Sequence, residues 1–336
     1  MESSAPELGT TTVYLTIDTE YSSGLVTGPG VVDRAENYAR SIACITPDGP
    51  SGITHKLKMF DEHGIKAVFF VDPMPAMVWG VAAIEDVVGP IIEAGQDVQL
   101  HCHTEWLEIA GRKAVIKNKT GKNIKDFTLD EQCTLLEYAR DMLVAAGAPK
   151  PVAFRAGNYG ANDDTLRALA AIGIRYDTSH CPALVGSGAC AISLSENIQT
   201  PVLLNGVIEV PVGCIQTLGG GLRHAQVTAL SLAEMTAAIK HTRDQGVPSF
   251  TLVTHSFELI NRRKLALNKI VHHRFEGLCR NLSSMRGVRT GNYRTTPPLF
   301  SPALPHVEAE PLPASTLRTG VRFAEQLVSN ALYGAL

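Results

Sequence analysis

Val13-Tyr14-Leu15-Thr16-Ile17-Asp18-Thr19-Glu20 is an apolar, β-branched run that stops abruptly at two acids. A run apolar on both faces is the pattern of a buried parallel strand. Residues two apart on a strand point the same way, so Asp18 and Glu20 share a side at its C-terminal end. That end is where α/β barrels keep their chemistry. Two carboxylates facing one way repel each other unless a cation or a proton lies between them. What the other strand ends bring to the same rim decides the meaning of this pair.

Outward from this stretch, the chain alternates strands and helices. Ile65 to Val71 reads as a second buried strand, with Asp72 at its end; Asp97 to His101 is a third, and Val152 to Arg155 a fourth. Ile174 to Asp177, Val207 to Val212 and Phe250 to His255 complete about seven. Helices are expected over Ile53–His63, Val81–Ala94, Leu129–Ala146, Asp163–Ile172, Leu230–Gln245 and Asn261–Leu282. Tyr21 to Gly52 reads as one long functional loop. Crossover-length spacing predicts an α/β fold, a distorted (β/α) barrel of parallel strands over residues 10–285. Residues 286–336 form an extension. Thr296 to Pro313 holds six of the 19 prolines, and Ser315 to Leu332 is a terminal helix with an apolar stripe of Leu317, Val321, Phe323, Leu327 and Leu332. Docking on the barrel, or on a second copy in a homodimer, would bury that stripe.

Bulk properties narrow the function. The 336 residues are 45% hydrophobic and 19% charged, an ordinary globular composition. A net charge of −3 gives no nucleic-acid-binding surface, and no apolar run reaches the roughly 18 residues of a membrane span. The polar start, Met1 to Glu7, carries no secretory signal, and the seven scattered cysteines read as free thiols, so a cytoplasmic location is expected. The six lysines and arginines of Arg112 to Asp126 read as a solvated loop.

Five strand ends bear acid, imidazole or guanidinium: Asp18 and Glu20; His101, His103 and Glu105; Arg155; Asp177; His255. In a barrel all converge on one rim. In His101-Cys102-His103-Thr104-Glu105, extended backbone puts two imidazoles and a carboxylate on one side. Such a set is the usual ligand group of hydrolytic zinc, with Glu20 adding charge from the next strand end. A metal so held acidifies water and polarises a carbonyl. Asp18 is then placed as general base, oriented by Arg155; His255 as proton donor, held in its tautomer by Asp177.

These residues resemble the polysaccharide deacetylase superfamily, of the NodB-homology or carbohydrate-esterase-4 type. The resemblance covers about Val13 to Glu258 and carries five motifs in the family's order. Asp18-Thr19-Glu20 resembles the opening acidic motif, which implies Asp18 as base and Glu20 as metal ligand. His101 matches the first histidine of the second motif; Glu105 stands where its second histidine belongs, and His103 is the alternative third ligand. Arg155-Ala156-Gly157-Asn158-Tyr159 resembles the third motif, Asp177-Thr178-Ser179 the fourth, and Leu252-Val253-Thr254-His255 the fifth with one extra residue. The run ending at Trp106 is similar to a divergent envelope-polysaccharide branch, with Trp106, Asn158 and Tyr159 as substrate-binding residues and the tryptophan as a sugar-stacking wall. The resemblance implies a divalent metal, zinc by preference, and removal of an N- or O-acyl group from a carbohydrate or amino sugar. Hydrolysis of a small non-sugar amide on the same fold, or a non-catalytic binder of carbohydrate or metal, are the alternatives.

Overall fold

The structure, a computed structural model, describes residues 10–28, 30–300 and 309–333. The expected Pro-rich stretch lies partly, and the polar start wholly, outside these residues. The sheet is built from β1 (Thr11–Thr19), β2 (Ala67–Val71), β3 (Asp97–Cys102), β4 (Ala153–Ala156), β5 (Tyr176–Asp177), β6 (Val202–Leu204), β7 (Val207–Glu209), β8 (Ser249–His255) and β9 (Val288–Thr290). Their order is β8-β1-β2-β3-β4-β5-β7-β6, with β9 added beside the start of β1. Every pairing is parallel except the β6–β7 hairpin. The seven expected parallel strands are all present, and the sheet curls into a half-barrel. Because β9 belongs to it, the sheet runs past the boundary expected at residue 285.

Alternation along β1 sorts the two cores. Val13, Leu15 and Ile17 point outward into the large cluster under the helices, where each buried aliphatic side chain contributes about 1.5–3 kcal/mol. Tyr14 points inward with Phe70, Tyr176 and Tyr293 and plugs the barrel. Asp18 has the parity of Tyr14, so it projects above that plug. On β3 the outward residues are Val98, Leu100 and Cys102, which leaves His101 inward.

The outer layer holds α1 (Ile53–His63), α2 (Ala82–Glu93), α3 (Leu129–Ala145), α4 (Asp163–Ala171), α5 (Leu232–Asp244), α6 (Lys269–Ser284) and α7 (Thr316–Tyr333). Two expectations change. The long segment after β1 is not structureless. It folds into short helices at Ser23–Thr27 and Arg34–Ser41, the second capped where the Asp33 carboxylate accepts the Glu36 N–H at 2.8 Å. The helix expected from Asn261 starts only at Lys269. Ile260–Asn261 and Ala266–Leu267 pair as a hairpin, and the Asn268 side chain caps α6.

Of the two ways expected to bury the stripe of the terminal helix α7, docking on the barrel is not the one seen. Its stripe faces out, with Leu317 77% and Leu327 70% exposed. It is held instead by its polar side: Arg322 pairs with Glu234 of α5, Glu325 with Arg274 of α6, and Ser329 accepts from Asn268.

Candidate active site

Register sets the first neighbours. Asp18 on β1 lies beside His255 on β8, and His101 on β3 beside Arg155 on β4. The Asp18 and His255 side chains come within 3.9 Å, Oδ2 to Nε2. Arg155 is fully buried and reaches across the barrel interior over the Phe70 ring. Its Nη1 donates to Asp18 Oδ1 at 2.8 Å and to Thr16 Oγ1 at 2.8 Å. Asp18 is thus clamped on one oxygen by a guanidinium, while the other faces His255.

Glu20, His101 and His103 form a compact group whose ligand-type atoms all lie within 4.8 Å of one another. His101 Nδ1 sits 2.7 Å from the Arg155 carbonyl oxygen, so that nitrogen carries the proton and donates. The lone pair on Nε2 then faces Glu20 Oε2 at 3.1 Å. An acceptor facing an acceptor calls for positive charge between them. His103 Nε2 lies 2.7 Å from the same Glu20 oxygen. Burial would lower the pKa of His103, but Glu20 and Glu105 outweigh it and hold it well above its ordinary value. Burial likewise opposes the charge on Glu20, yet the two imidazoles keep it well below the usual carboxylate range. Two imidazoles and a carboxylate with this demand for positive charge fit a divalent transition metal. A second set of ligand type, His55, His272 and Glu276, comes from helices α1 and α6 rather than from strand ends.

Glu105 is one of the two residues expected to complete the ligand group. The structure puts it behind His103 instead: its Oε2 is 3.2 Å from His103 Nδ1, and its Oε1 accepts from Asn158 Nδ2 at 3.3 Å. It orients the ring that faces Glu20. Gly157 packs against the same ring; a Cβ there would sit 2.7 Å from His103 Nδ1. Asp72, at the end of β2, accepts the His103 N–H at 3.3 Å and the Met74 N–H at 3.1 Å. Burial, only partly offset by the two imidazoles, raises its pKa to about 6.

Asp177 does not hold His255. Its carboxylate accepts from Ser179 Oγ at 2.7 Å and pairs with Glu209, whose own pKa is driven well up by burial and by the Asp177 charge. Ser179 Oγ in turn accepts the Ala156 N–H at 2.9 Å, so Asp177 braces the turn that comes after Arg155. The partner of His255 is Glu258, at 2.7 Å from Nδ1, with Thr254 and Gln226 donating to the same carboxylate. Burial disfavours the His255 charge, but Glu258, Asp18 and Glu20 outweigh it and raise the pKa to about 9.

Trp106 is 0% exposed and meets Trp79 edge-on at 5.2 Å, so it has no free face for stacking. The aromatic ring beside His255 is Phe257, half-buried and 5.1 Å away. Asn158 and Tyr159 both adopt left-handed backbone, φ +57° and +56°, a costly conformation for two consecutive non-glycine residues. Among the described residues the buried Tyr159 hydroxyl has no hydrogen-bond partner, and burial keeps it protonated.

Fold and rim together define a curled (β/α) barrel with an acid–guanidinium–imidazole cluster at its strand ends. No family model matches the sequence, and no curated protein matches it. Among solved structures, one described as a "putative polysaccharide deacetylase" from Mycobacterium smegmatis superposes with a TM-score of 0.52 at 17% identity, covering 86% of this chain and 90% of that one. A 4-alpha-glucanotransferase from Thermococcus litoralis gives 0.51 at 11% identity, covering 84% of this chain and 39% of that one. At these identities the likeness establishes the fold: the NodB-type barrel of the polysaccharide deacetylases. Since that fold also serves a glucanotransferase, it does not name the reaction. No helix among the described residues is long and apolar enough to cross a membrane.

Proposed function

We propose that this chain is a zinc-dependent deacylase acting on a C–N or C–O acyl bond of an amino sugar or other acylated carbohydrate, in a reducing compartment where its seven cysteines stay free. The observation that carries the reading is the clamped Asp18 between Arg155 and His255, beside the Glu20, His101 and His103 group. A bound divalent ion would be held by those three residues and would supply Lewis-acid polarisation of the acyl oxygen and acidification of water. Asp18 then takes the proton from the attacking water. His255, kept charged at neutral pH by Glu258, gives a proton to the leaving nitrogen or oxygen. Tyr159 offers its unpartnered hydroxyl, and Asn158 its amide, to the substrate.

Metal analysis and acetate release from a panel of N- and O-acetyl sugars and small acyl amides test the reading. One equivalent of divalent ion and acetate from a sugar are the expected results. A metal-free protein, or release only from non-sugar amides, would overturn it.

His255 acts only when protonated, and its raised pKa keeps it so up to about pH 9. Replacing Glu258 by glutamine removes the largest favourable contribution, so the pKa falls toward the ordinary 6.5 or so. The alkaline limb of the kcat/KM profile is expected to move to lower pH by roughly one pH unit or more. An NMR titration of the imidazole in the same variant reads the shift without turnover. An unmoved limb rules out the His255–Glu258 pair as the acid.

A further inference from the structure

Beside the metal-ligand group opens a cleft of about 850 Å³. Arg40, Arg262 and Arg263 line it, together with His255, Phe257 and Glu258. Phe257 and Arg262 also line the smaller pocket that contains Glu20, His103 and Glu105, so they stand at the junction between the two. The Arg262 guanidinium stacks on the Phe257 ring at 4.3 Å. Among the described residues it makes one hydrogen bond, Nη2 to Ser41 Oγ at 3.3 Å, out of five available donors. Arg263 is exposed on the hairpin beyond β8. Among the described residues neither Arg262 nor Arg263 has a carboxylate partner. Arg40 pairs with Glu36 at 3.2 Å, and Glu258, the one acid of the cleft, is already tied to His255.

This local excess of positive charge occurs in a chain whose net charge is −3. Burial works against the charge on Arg262, with Glu20 the main influence supporting it. A half-buried guanidinium held flat by an aromatic ring, with four donors to spare, matches the bidentate geometry of a carboxylate or phosphate. A concave site lined by one sign of charge also concentrates ligands of the opposite sign.

We infer that the acylated substrate carries an anionic group, a carboxylate or a phosphate, which Arg262 and Arg263 bind in this cleft while the acyl group lies at the rim cluster. The inference rests on the deacylase reading for its catalytic side but can be read separately by binding.

Three acetyl esters of like shape serve as probes of the zinc-loaded protein: 4-acetoxybenzoate, 4-acetoxyphenyl phosphate and the neutral methyl 4-acetoxybenzoate. An anionic ester is expected to be preferred about tenfold in kcat/KM, mainly through KM. The preference should shrink at high salt. It should be lost in Arg262→Gln, be reduced in the exposed Arg263→Gln, and survive in part in Arg262→Lys. The carboxylate and phosphate arms show which anion is favoured. Equal kcat/KM for charged and neutral esters in the wild type, or a preference untouched by both glutamine variants, overturns the inference. If none of the esters is cleaved, the deacylase reading is decided by the acetyl-sugar panel and the anion site by binding. Calorimetric binding of the same three compounds then decides the anion site by the same tenfold criterion.

Discussion

Asp18→Asn is expected to lower acyl hydrolysis by about 10²–10⁴-fold while the protein still binds its full equivalent of zinc. The asparagine amide can still accept from Arg155 Nη1, so the side chain stays where it is; what it loses is the ability to take a proton. The separation comes from geometry. Asp18 is not among the three residues whose ligand atoms cluster, and its free oxygen faces His255 rather than His101 or His103. The substitution also strands a fully buried guanidinium without its counter-charge, which is expected to cost about 3 kcal/mol of stability. Rates are therefore compared at a temperature where circular dichroism shows the variant folded. A folded, zinc-loaded variant with wild-type rates would remove Asp18 from the mechanism.

The second large effect lies in metal affinity and separates two residues that the sequence leaves as rivals. His103→Ala removes a proposed ligand and is expected to weaken zinc binding by at least about 100-fold. Glu105→Gln leaves the imidazole in place and disturbs only the hydrogen bond to Nδ1, so a loss of about 10-fold is expected. Competition against a chelator of known affinity measures both. If Glu105→Gln proves as damaging as His103→Ala, Glu105 is a ligand and the His103 ring is oriented by something else.

The parts of the site that are legible in the sequence are those set by strand periodicity. Parity along β1, carried one residue past its end, puts Asp18 and Glu20 on one side, and parity along β3, carried likewise, does the same for His101 and His103. Arg155, at the end of β4, can be assigned to the rim because strand ends in a barrel meet there. The illegible parts depend on chain that leaves the strands. Glu258 lies three residues past His255, beyond the end of β8, and comes back on the imidazole through a turn that no periodic pattern announces. Asp177, a strand-end acid, is the natural candidate for that role in the sequence, but it sits on β5 across the barrel and is engaged with Ser179 and Glu209. Phe257 escapes notice because an aromatic residue between a histidine and an acid carries no signal of its own. Trp106 is favoured by its type, yet its place at the start of a short helix packs it under the site. The barrel-docking alternative for α7 fails for a related reason: an amphipathic stripe says that a helix has two faces, not which of them meets the barrel.

That helix separates two properties that usually go together. In most domains the contact that moors a helix is also the contact that hides its oily side, so losing one exposes the other. Here the moorings are Arg322 with Glu234 and Glu325 with Arg274. Trimming the chain ahead of Thr316 would strip away an apolar stripe that this chain leaves exposed and leave Glu234 and Arg274 without their mates. The shortened protein would exchange adhesiveness for a pair of stranded charges.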